Sequence, residues 1–221
     1  MKVIGIDEAG KGCVIGPLII AGFMIDQEHE NELIKIGVKD SKELAPKKRE
    51  VIAKKLEKLG DVFVLNIGPC KIDNYKKEGI NLNQLEAMKF CEIINMASPQ
   101  KVYIDCPTKN IKKFEKFLKK MIKNETELVV ENFADKKYPV VSAASIIAKN
   151  VREKEIEKLR KKYGFEGSGY TSDEKTIEWM KNWLKNHKDF PEGLVRKSWI
   201  TTEFIFRDKK QSRISSFFNK K

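Results

Sequence analysis

Apolar and polar positions follow two different periods along the first 135 residues of the chain. Five short apolar runs have the length and β-branched content of buried strands, namely residues 2–7, 14–25, 62–67, 102–105 and 128–132. Three stretches between them repeat their apolar positions every three or four residues, as amphipathic helices do, namely residues 46–59, 81–96 and 111–122. Strands that alternate with helices predict an α/β core.

The pattern changes after residue 139. Residues 140–163 begin with small and apolar side chains and end with charged ones, which predicts one long helix that is buried at its start and solvated at its end. Residues 172–186 predict a further helix. The polar stretch from residue 207 onward predicts a loose tail. We therefore expect a helical C-terminal part after the α/β core.

The charge of the chain is strongly positive and unevenly distributed. Lys and Arg number 44 against 32 Asp and Glu, which gives a formal net charge of +12. Residues 136–221 hold 21 basic and 11 acidic side chains, so nearly all of the excess lies there. Such an excess is typical of a protein that binds a polyanion, either nucleic acid or an anionic membrane surface. A lysine-rich surface without such a partner is the alternative.

Membrane insertion and secretion are not expected. The longest apolar stretch, residues 13–25, is too short to span a bilayer and is interrupted by two glycines and a proline. The N-terminus reaches the acids Asp7 and Glu8 before the apolar core of a signal peptide can form. The four cysteines lack C-x-x-C spacing, which argues against a zinc site and favours a reduced, cytoplasmic protein.

Two of the predicted strands end in acids. Asp7 and Glu8 follow the first strand, and Asp105 ends the fourth. If these strands are parallel neighbours, Asp7 and Asp105 meet at the carboxyl edge of the sheet, where open α/β sheets bind ligands. Clustered carboxylates need a cation to remain ionised together, and the hard cations Mg²⁺ and Mn²⁺ prefer oxygen ligands. The alternative is that each acid only caps the turn after its strand.

Two other kinds of site fit the sequence poorly. Residues 5–11 match the phosphate-binding pattern G-x-x-x-x-G-K, but Gly12 stands where that pattern needs Ser or Thr, and two acids would face the triphosphate. The chain has only His29 and His187, which lie in charged, helix-like stretches, and neither follows a nucleophile elbow. A P-loop and a nucleophilic triad are therefore disfavoured.

Several short motifs follow one another in a fixed order along the chain. They are D-E-A-G-K-G at residues 7–12 with G-P at 16–17, D-S-K at 40–42, I-D at 104–105, D-x-x-Y-P-V-V-S-A-A-S-I-I-A-K at 135–149, and G-Y at 169–170. In composition and order they resemble the motifs of type 2 ribonuclease H, also called ribonuclease HII. The similarity extends from residue 1 to about residue 200.

The resemblance implies a ribonuclease H-like α/β fold, a mixed β-sheet flanked by helices, with a helical C-terminal subdomain. We expect a catalytic core over residues 1–165, the helical subdomain over residues 166–206 and a flexible tail over residues 207–221. The family's activity is hydrolysis of the RNA strand of RNA·DNA hybrids and cleavage at ribonucleotides embedded in duplex DNA. A two-metal site that holds Mg²⁺ or Mn²⁺ would leave 5′-phosphate and 3′-hydroxyl ends.

The resemblance also assigns roles to individual residues. The metal-binding catalytic residues would be Asp7, Glu8, Asp105 and Asp135. The substrate-binding residues would be Gly10, Lys11, Gly12, Lys42, Lys149 and Tyr170. Among these, the glycine-rich turn and Tyr170 would read the ribose 2′-hydroxyl, the group that distinguishes RNA from DNA. The sequence departs from the family pattern at Lys11, where arginine is usual, and at Thr171, where proline is usual.

Residues 211–218 carry a separate motif, Q-x-x-I-x-x-F-F, which resembles the motif that binds the sliding clamp, PCNA. The partner-binding residues would be Gln211, Ile214, Phe217 and Phe218. The apolar ones would enter a groove of the clamp as the tail folds on binding. The alternative is a frayed tail with chance aromatic residues. A PCNA-type clamp implies an archaeal or eukaryotic cell, and the short, Lys/Glu-rich chain favours an archaeon.

Two other functions are compatible with such a fold. A non-catalytic protein that binds hybrids or the clamp is expected to lack one of the four acids, whereas all four are present. A nuclease of the same fold that acts on DNA junctions would cut DNA that contains no ribonucleotide. The family further implies a monomer.

Overall fold

Five strands form one mixed sheet in the computed structural model, which describes residues 1–38 and 44–218, and side chains as far as residue 209. The strands are β1 (Lys2–Ala9), β2 (Leu18–Asp26), β3 (Asp61–Ile67), β4 (Lys101–Asp105) and β5 (Glu127–Glu131). They lie in the order β3-β2-β1-β4-β5. Strand β1 is antiparallel to β2 and parallel to β4, and β4 is parallel to β5. The expected mixed sheet is confirmed.

Helices make up most of the remaining described chain. They are α1 (Glu30–Lys35), α2 (Pro46–Leu59), α3 (Pro69–Lys77), α4 (Leu82–Ala97), α5 (Ile111–Met121), α6 (Pro139–Tyr163), α7 (Glu174–Asn186) and α8 (Ile200–Phe218). Single turns of 3-10 helix cover Gln27–His29 and Ala134–Lys136. The helices expected from the sequence pattern are confirmed as α2, α4, α5, α6 and α7, with ends that differ by at most two residues.

Helices α1 and α3 lie in stretches for which no helix was expected, and the structure differs from the sequence pattern in two further places. Helix α8 continues to Phe218, so the backbone is helical over most of the stretch where a loose tail was expected. Strand β2 begins at Leu18 rather than at residue 14. The physical reason is that the amides of Val14 and Gly16 donate to the carbonyls of Gly169 and Leu194, so this segment pairs away from β1.

The chain forms two compact units, and neither is a continuous stretch of sequence. The first consists of Met1–Ala9, Ile19–Asn66 and Ile80–Glu153. The second consists of Gly10–Leu18, Ile67–Gly79 and Lys154–Lys221. The two units therefore divide within α6 after residue 153, whereas we expected a boundary after residue 165. The second unit also takes two segments from the N-terminal half, which a linear division of the sequence does not assign to it.

The pairing of β1 with β4 sets the register of the acids in the first unit. Ile6 lies opposite Ile104 in this parallel pair, and one residue later each strand carries its acid, Asp7 or Asp105. In the next parallel pair, Asp105 lies opposite Glu131 of β5. The expectation that the first and fourth strands are parallel neighbours is confirmed.

Helix α6 approaches β1 closely because Gly5 has no side chain at the contact. A Cβ atom added to Gly5 would lie 2.2 Å from the carbonyl carbon of Val140 and 2.3 Å from the amide nitrogen of Val141. The apolar first half of α6 belongs to the same buried cluster as Val3 and Ala9 of β1. Asp7 is two residues beyond Gly5, so this close approach sets the start of α6 beside the acid-bearing end of β1.

The second unit has its own apolar core. Val14 and Ile15 pack there with residues of three helices, among them Ile156 of α6, Met180 of α7 and Ile205 of α8. These positions lie at the apolar faces that the helical period predicts. No helix in the described part of the chain combines the length and the apolar character needed to cross a membrane.

We expect Gly5→Ala to lower the free energy of unfolding by about 3 kcal/mol or more. The added methyl group meets backbone atoms of α6 rather than a side chain that can rotate away. Urea denaturation measures the effect.

Gly68→Ala is the matched control, because a Cβ atom at Gly68 meets no atom within 4 Å. The control variant should change the free energy of unfolding by less than about 1 kcal/mol. Equal stability of the two variants would contradict the close approach of β1 and α6.

Candidate active site

Three of the four predicted acids are linked by the fold of the first unit. Asp7 and Asp105 end neighbouring parallel strands, and Asp7 is 7 % exposed. The backbone amide of Ala134 donates to Oδ1 of Asp105 at 3.2 Å. Asp135, 4 % exposed, is the next residue after Ala134. The 3-10 turn after β5 therefore carries Asp135 to the end of β4, where Asp105 lies.

The fourth acid, Glu8, is fixed through its backbone. Its amide donates to Oδ1 of Asp7 at 2.7 Å. This hydrogen bond holds one oxygen of the Asp7 carboxylate against the main chain at the end of β1. Glu8 follows Asp7 directly, on the opposite face of the strand.

The carboxyl group of Asp7 lies in an environment that opposes its ionisation. Burial raises the pKa of Asp7 to about 7, and the charge of Asp105 contributes in the same direction. A hydrogen bond from Ser145, the amide of Glu8 and the charge of Lys149 lower the pKa of Asp7, but they do not offset the burial. Two adjacent carboxylates in such a place require either a proton or a cation.

Helix α6 supplies a pair of polar residues to this site. Lys149 Nζ donates to Ser145 Oγ at 2.7 Å, and Ser145 hydrogen-bonds to Asp7. The spacing of four residues places the two side chains on one face of the helix. Sequence reasoning assigned Lys149 to the substrate and expected the start of the helix over residues 140–163 only to be buried, so it missed Ser145. The available signal was a serine in a buried stretch, because a buried hydroxyl needs a hydrogen-bond partner.

The donor set fits a hard divalent cation bound partly by its substrate. Among the described residues, no three His, Cys, Asp or Glu side chains form a group that could by itself hold a metal ion. Mg²⁺ does not need such a cage, because it keeps several waters and uses one or two carboxylates together with substrate phosphates. Asp7 and Asp105 provide such a carboxylate pair, and a cation there would relieve the repulsion that raises the pKa of Asp7.

The glycine-rich turn and Tyr170 are neighbours in the second unit. Cys13 pairs with Tyr170 in an antiparallel bridge, and the amides of Val14 and Ile15 both donate to the carbonyl of Gly169. A Cβ atom at Gly12 would lie 4.0 Å from Cδ1 of the Tyr170 ring. The structure thus brings together two elements that lie almost 160 residues apart in the sequence.

The loop that carries Tyr170 is fixed to the start of α7. Asp173, the residue that caps this helix, accepts hydrogen bonds from Ser168 Oγ at 2.7 Å and Thr176 Oγ1 at 2.9 Å. Hydrogen bonds from Ser168 lower the pKa of Asp173 to about 2. Thr176 Oγ1 in turn accepts from the amide of Gly169 at 3.0 Å. Sequence reasoning missed Asp173 and Thr176, although an aspartate directly before a helical pattern is a helix-start signal.

Some predicted site residues fall outside these contacts. Lys42, with the rest of its D-S-K motif, lies in residues 39–43, outside the described part of the chain. The clamp motif occupies the last turns of α8, where the structure describes the helical backbone but not the side chains.

Comparisons with known proteins point to one family. A family model described as "Ribonuclease HII" matches residues 4–202. Ribonuclease HII from Pyrococcus horikoshii is 46% identical over 208 residues, which are 93% of each chain. The crystal structure of the ribonuclease H2 from the same organism superposes with a TM-score of 0.87 at 46% identity, covering 93% of this chain and 97% of that one. The ribonuclease HII of a PCNA:RNase HII complex from Archaeoglobus fulgidus superposes with a TM-score of 0.82 at 39% identity, covering 88% and 92% of the two chains.

We expect Asp7→Asn to stabilise the protein above pH 7 in the presence of a chelator. The folded wild type then carries an ionised, buried carboxylate, whereas the unfolded chain ionises near pH 3.8 at no such penalty. The gain in free energy of unfolding should therefore grow as the pH rises from 4 to 7 and level off above 7, at a few kcal/mol.

Thermal unfolding measured across this pH range tests the sign of the effect. Asp26→Asn is the control. A hydrogen bond from Lys2 lowers the pKa of Asp26. Removing this carboxylate should therefore not raise the free energy of unfolding at high pH. An Asp7→Asn variant that is less stable than the wild type at pH 8 would contradict the proposed environment of Asp7.

Proposed function

Because the chain belongs to the ribonuclease HII family, we propose that it is an endoribonuclease that hydrolyses the RNA strand of RNA·DNA hybrids. It also cuts at ribonucleotides embedded in duplex DNA. The observation that carries the proposal is the pair of carboxylates, Asp7 buried and Asp105 half-buried, at the ends of two neighbouring parallel strands. Glu8 and Asp135 complete the set of four acids.

The four acids would hold divalent cations, Mg²⁺ or Mn²⁺. Asp7 and Asp105 would contribute ligands to both ions of such a two-metal site. Such ions, when bound, lower the pKa of the attacking water and stabilise the leaving 3′ oxygen. This reaction leaves a 5′-phosphate and a 3′-hydroxyl.

The chain's own residues prepare the carboxylates for this task. The Glu8 amide and the Ser145 hydroxyl each engage Asp7, so its oxygens have a fixed orientation before a cation arrives. The Ala134 amide does the same for Asp105. Lys149 compensates part of the negative charge while it holds Ser145 in place. Burial keeps bulk water from screening these interactions.

Recognition of the ribonucleotide would belong to the second unit. The backbone of Gly10, Lys11 and Gly12 can approach a ribose closely, because a glycine has no Cβ atom and Gly10 adopts a φ of 87°. Tyr170 would pack on the adjoining sugar and donate a hydrogen bond. Only one residue separates Glu8 from the turn, so recognition and catalysis would use one continuous segment of the chain. Lys42 and the basic excess of residues 136–221 would bind backbone phosphates.

Asp105→Asn should abolish cleavage in Mg²⁺ while hybrid binding survives, because the substitution removes a ligand charge and leaves the basic surface intact. The assay uses a DNA duplex with one ribonucleotide, an RNA·DNA hybrid and an all-DNA duplex of the same sequence. The wild type should cut the first two and leave the third intact.

Each alternative predicts a different pattern in this assay. Equal cutting of the all-DNA duplex would identify a DNA nuclease instead. Absence of cutting by the wild type would favour a non-catalytic hybrid-binding protein. Full activity of Asp105→Asn would remove Asp105 from the catalytic set.

We further propose that the C-terminal motif binds a sliding clamp in an archaeal cell. The solved PCNA:RNase HII complex from Archaeoglobus fulgidus shows that a relative forms such an assembly. Ile214, Phe217 and Phe218 follow the i, i+3, i+4 spacing of one helix face, and α8 is helical over these positions. Gln211 lies three residues earlier, at the start of the motif.

The double substitution Phe217→Ala, Phe218→Ala should weaken clamp binding by several kcal/mol, because paired aromatic anchors contribute most of the affinity of such interfaces. Titration calorimetry with the clamp measures the loss. Hydrolysis of a short hybrid without the clamp should be unchanged. Unaltered clamp affinity would show that these residues are not its anchors.

A further inference from the structure

A buried arginine lies directly behind the glycine-rich turn in the second unit. Arg196 is 0 % exposed and is among the largest fully buried side chains. Its Nη2 donates to the carbonyl of Gly10 at 2.6 Å and its Nη1 to the carbonyl of Lys11 at 2.8 Å. Its Nε donates to the carbonyl of Gly16 at 3.1 Å. One guanidinium thus holds both ends of residues 10–16.

These contacts determine which way the peptide groups of the turn point. In a trans peptide the carbonyl and the amide of the same plane point in opposite directions, and no described residue has a cis bond. The amides of Lys11 and Gly12 share their planes with the carbonyls that Arg196 holds. Both amides therefore point away from the guanidinium. Two successive amides directed to the same side form a site for an oxygen acceptor.

Hydrogen bonds also fix the backbone of Arg196. Its amide donates to the carbonyl of Val14 at 2.9 Å, and its carbonyl accepts from Thr202 Oγ1 at 2.9 Å. The carboxylate of Asp73 accepts hydrogen bonds from the backbone amides of the next two residues, Lys197 at 2.8 Å and Ser198 at 3.1 Å. The planar fork of an arginine loses little freedom on forming several hydrogen bonds, so this arrangement is rigid before substrate arrives.

We propose that Arg196 is a positioning residue that orients the Lys11 and Gly12 amides towards the 2′-hydroxyl of the ribonucleotide. Its charge behind the two carbonyls also polarises the peptides and strengthens their amides as donors. The enzyme's preference for a ribonucleotide over a deoxyribonucleotide then depends on a side chain that does not touch the substrate. This inference rests on the proposed function, in which the turn reads the ribose.

The test compares Arg196→Met and Arg196→Lys by their preference between two duplexes. Both variants are made in the Asp105→Asn background, so that the substrate is not cut. Fluorescence anisotropy measures the Kd for a DNA duplex with one ribonucleotide and for the same duplex without it. The preference is the ratio of the two Kd values.

Arg196→Met should lower the preference by about tenfold, the loss expected for one to two hydrogen bonds, while affinity for the all-DNA duplex is kept. Arg196→Lys should show a preference between those of Arg196→Met and the background protein, because lysine keeps the charge but cannot reach three carbonyls at once. If Arg196→Met fails to fold by circular dichroism, Arg196→Lys alone decides.

A control variant separates positioning from charge. Arg207→Met removes one positive charge from the same unit. It should keep the preference of the background protein.

The outcomes distinguish the inference from the proposed function. An unchanged preference in both Arg196 variants, or equal weakening for both duplexes, would overturn the role of Arg196 and leave the proposed function standing. A background protein without any preference would overturn the reading of the 2′-hydroxyl, and the role of Arg196 with it.

Discussion

The parallel pairing of β1 with β4 is the constraint on which the rest of the structure depends. It sets two carboxylates, Asp7 and Asp105, at the same level of one sheet edge, where burial opposes the ionisation of Asp7. The fold holds this unfavourable pair in place through Gly5, which lets α6 approach β1. The same helix delivers Ser145 and Lys149 to the acids. A cation between the acids would offset the cost of burying Asp7 and the repulsion from Asp105, because an opposite charge favours the ionised form of a carboxylate.

The acids at the end of β1 and the glycine-rich turn belong to different units, although they lie within one short segment of chain. Residues 7 and 8 belong to the first unit, and the turn at residues 10–12 belongs to the second. In the second unit, two backbone turns are held by polar side chains. Arg196 fixes the glycine-rich turn and Asp173 fixes the loop of Tyr170. Without Arg196 or Asp173, the glycine-rich turn or the loop of Tyr170 would still be present but less well oriented.

Much of the fold and of the candidate site could be predicted from the sequence. The features that the sequence pattern missed share a physical cause. Asp7 and Asp105 were predictable because apolar runs that end in acids are local patterns, and the β1–β4 pairing is confirmed. Helix α8 was missed because its charged residues resemble a tail, whereas its buried Thr202 and Ile205 give it tertiary support. Arg196 was missed because a basic residue in a basic region is expected at the surface. Its partners are backbone carbonyls almost 190 residues away, which no local pattern reveals.

Asp7 and Asp105 are proposed to hold divalent cations together against the nucleic acid. Crystals of the Asp135→Asn variant with Mn²⁺ and a duplex that contains one ribonucleotide would test this proposal through the anomalous scattering of manganese. We expect an anomalous peak between the two carboxylates, in contact with a backbone phosphate next to the ribonucleotide. Manganese bound elsewhere, with Asp7 and Asp105 both uncoordinated, would contradict it.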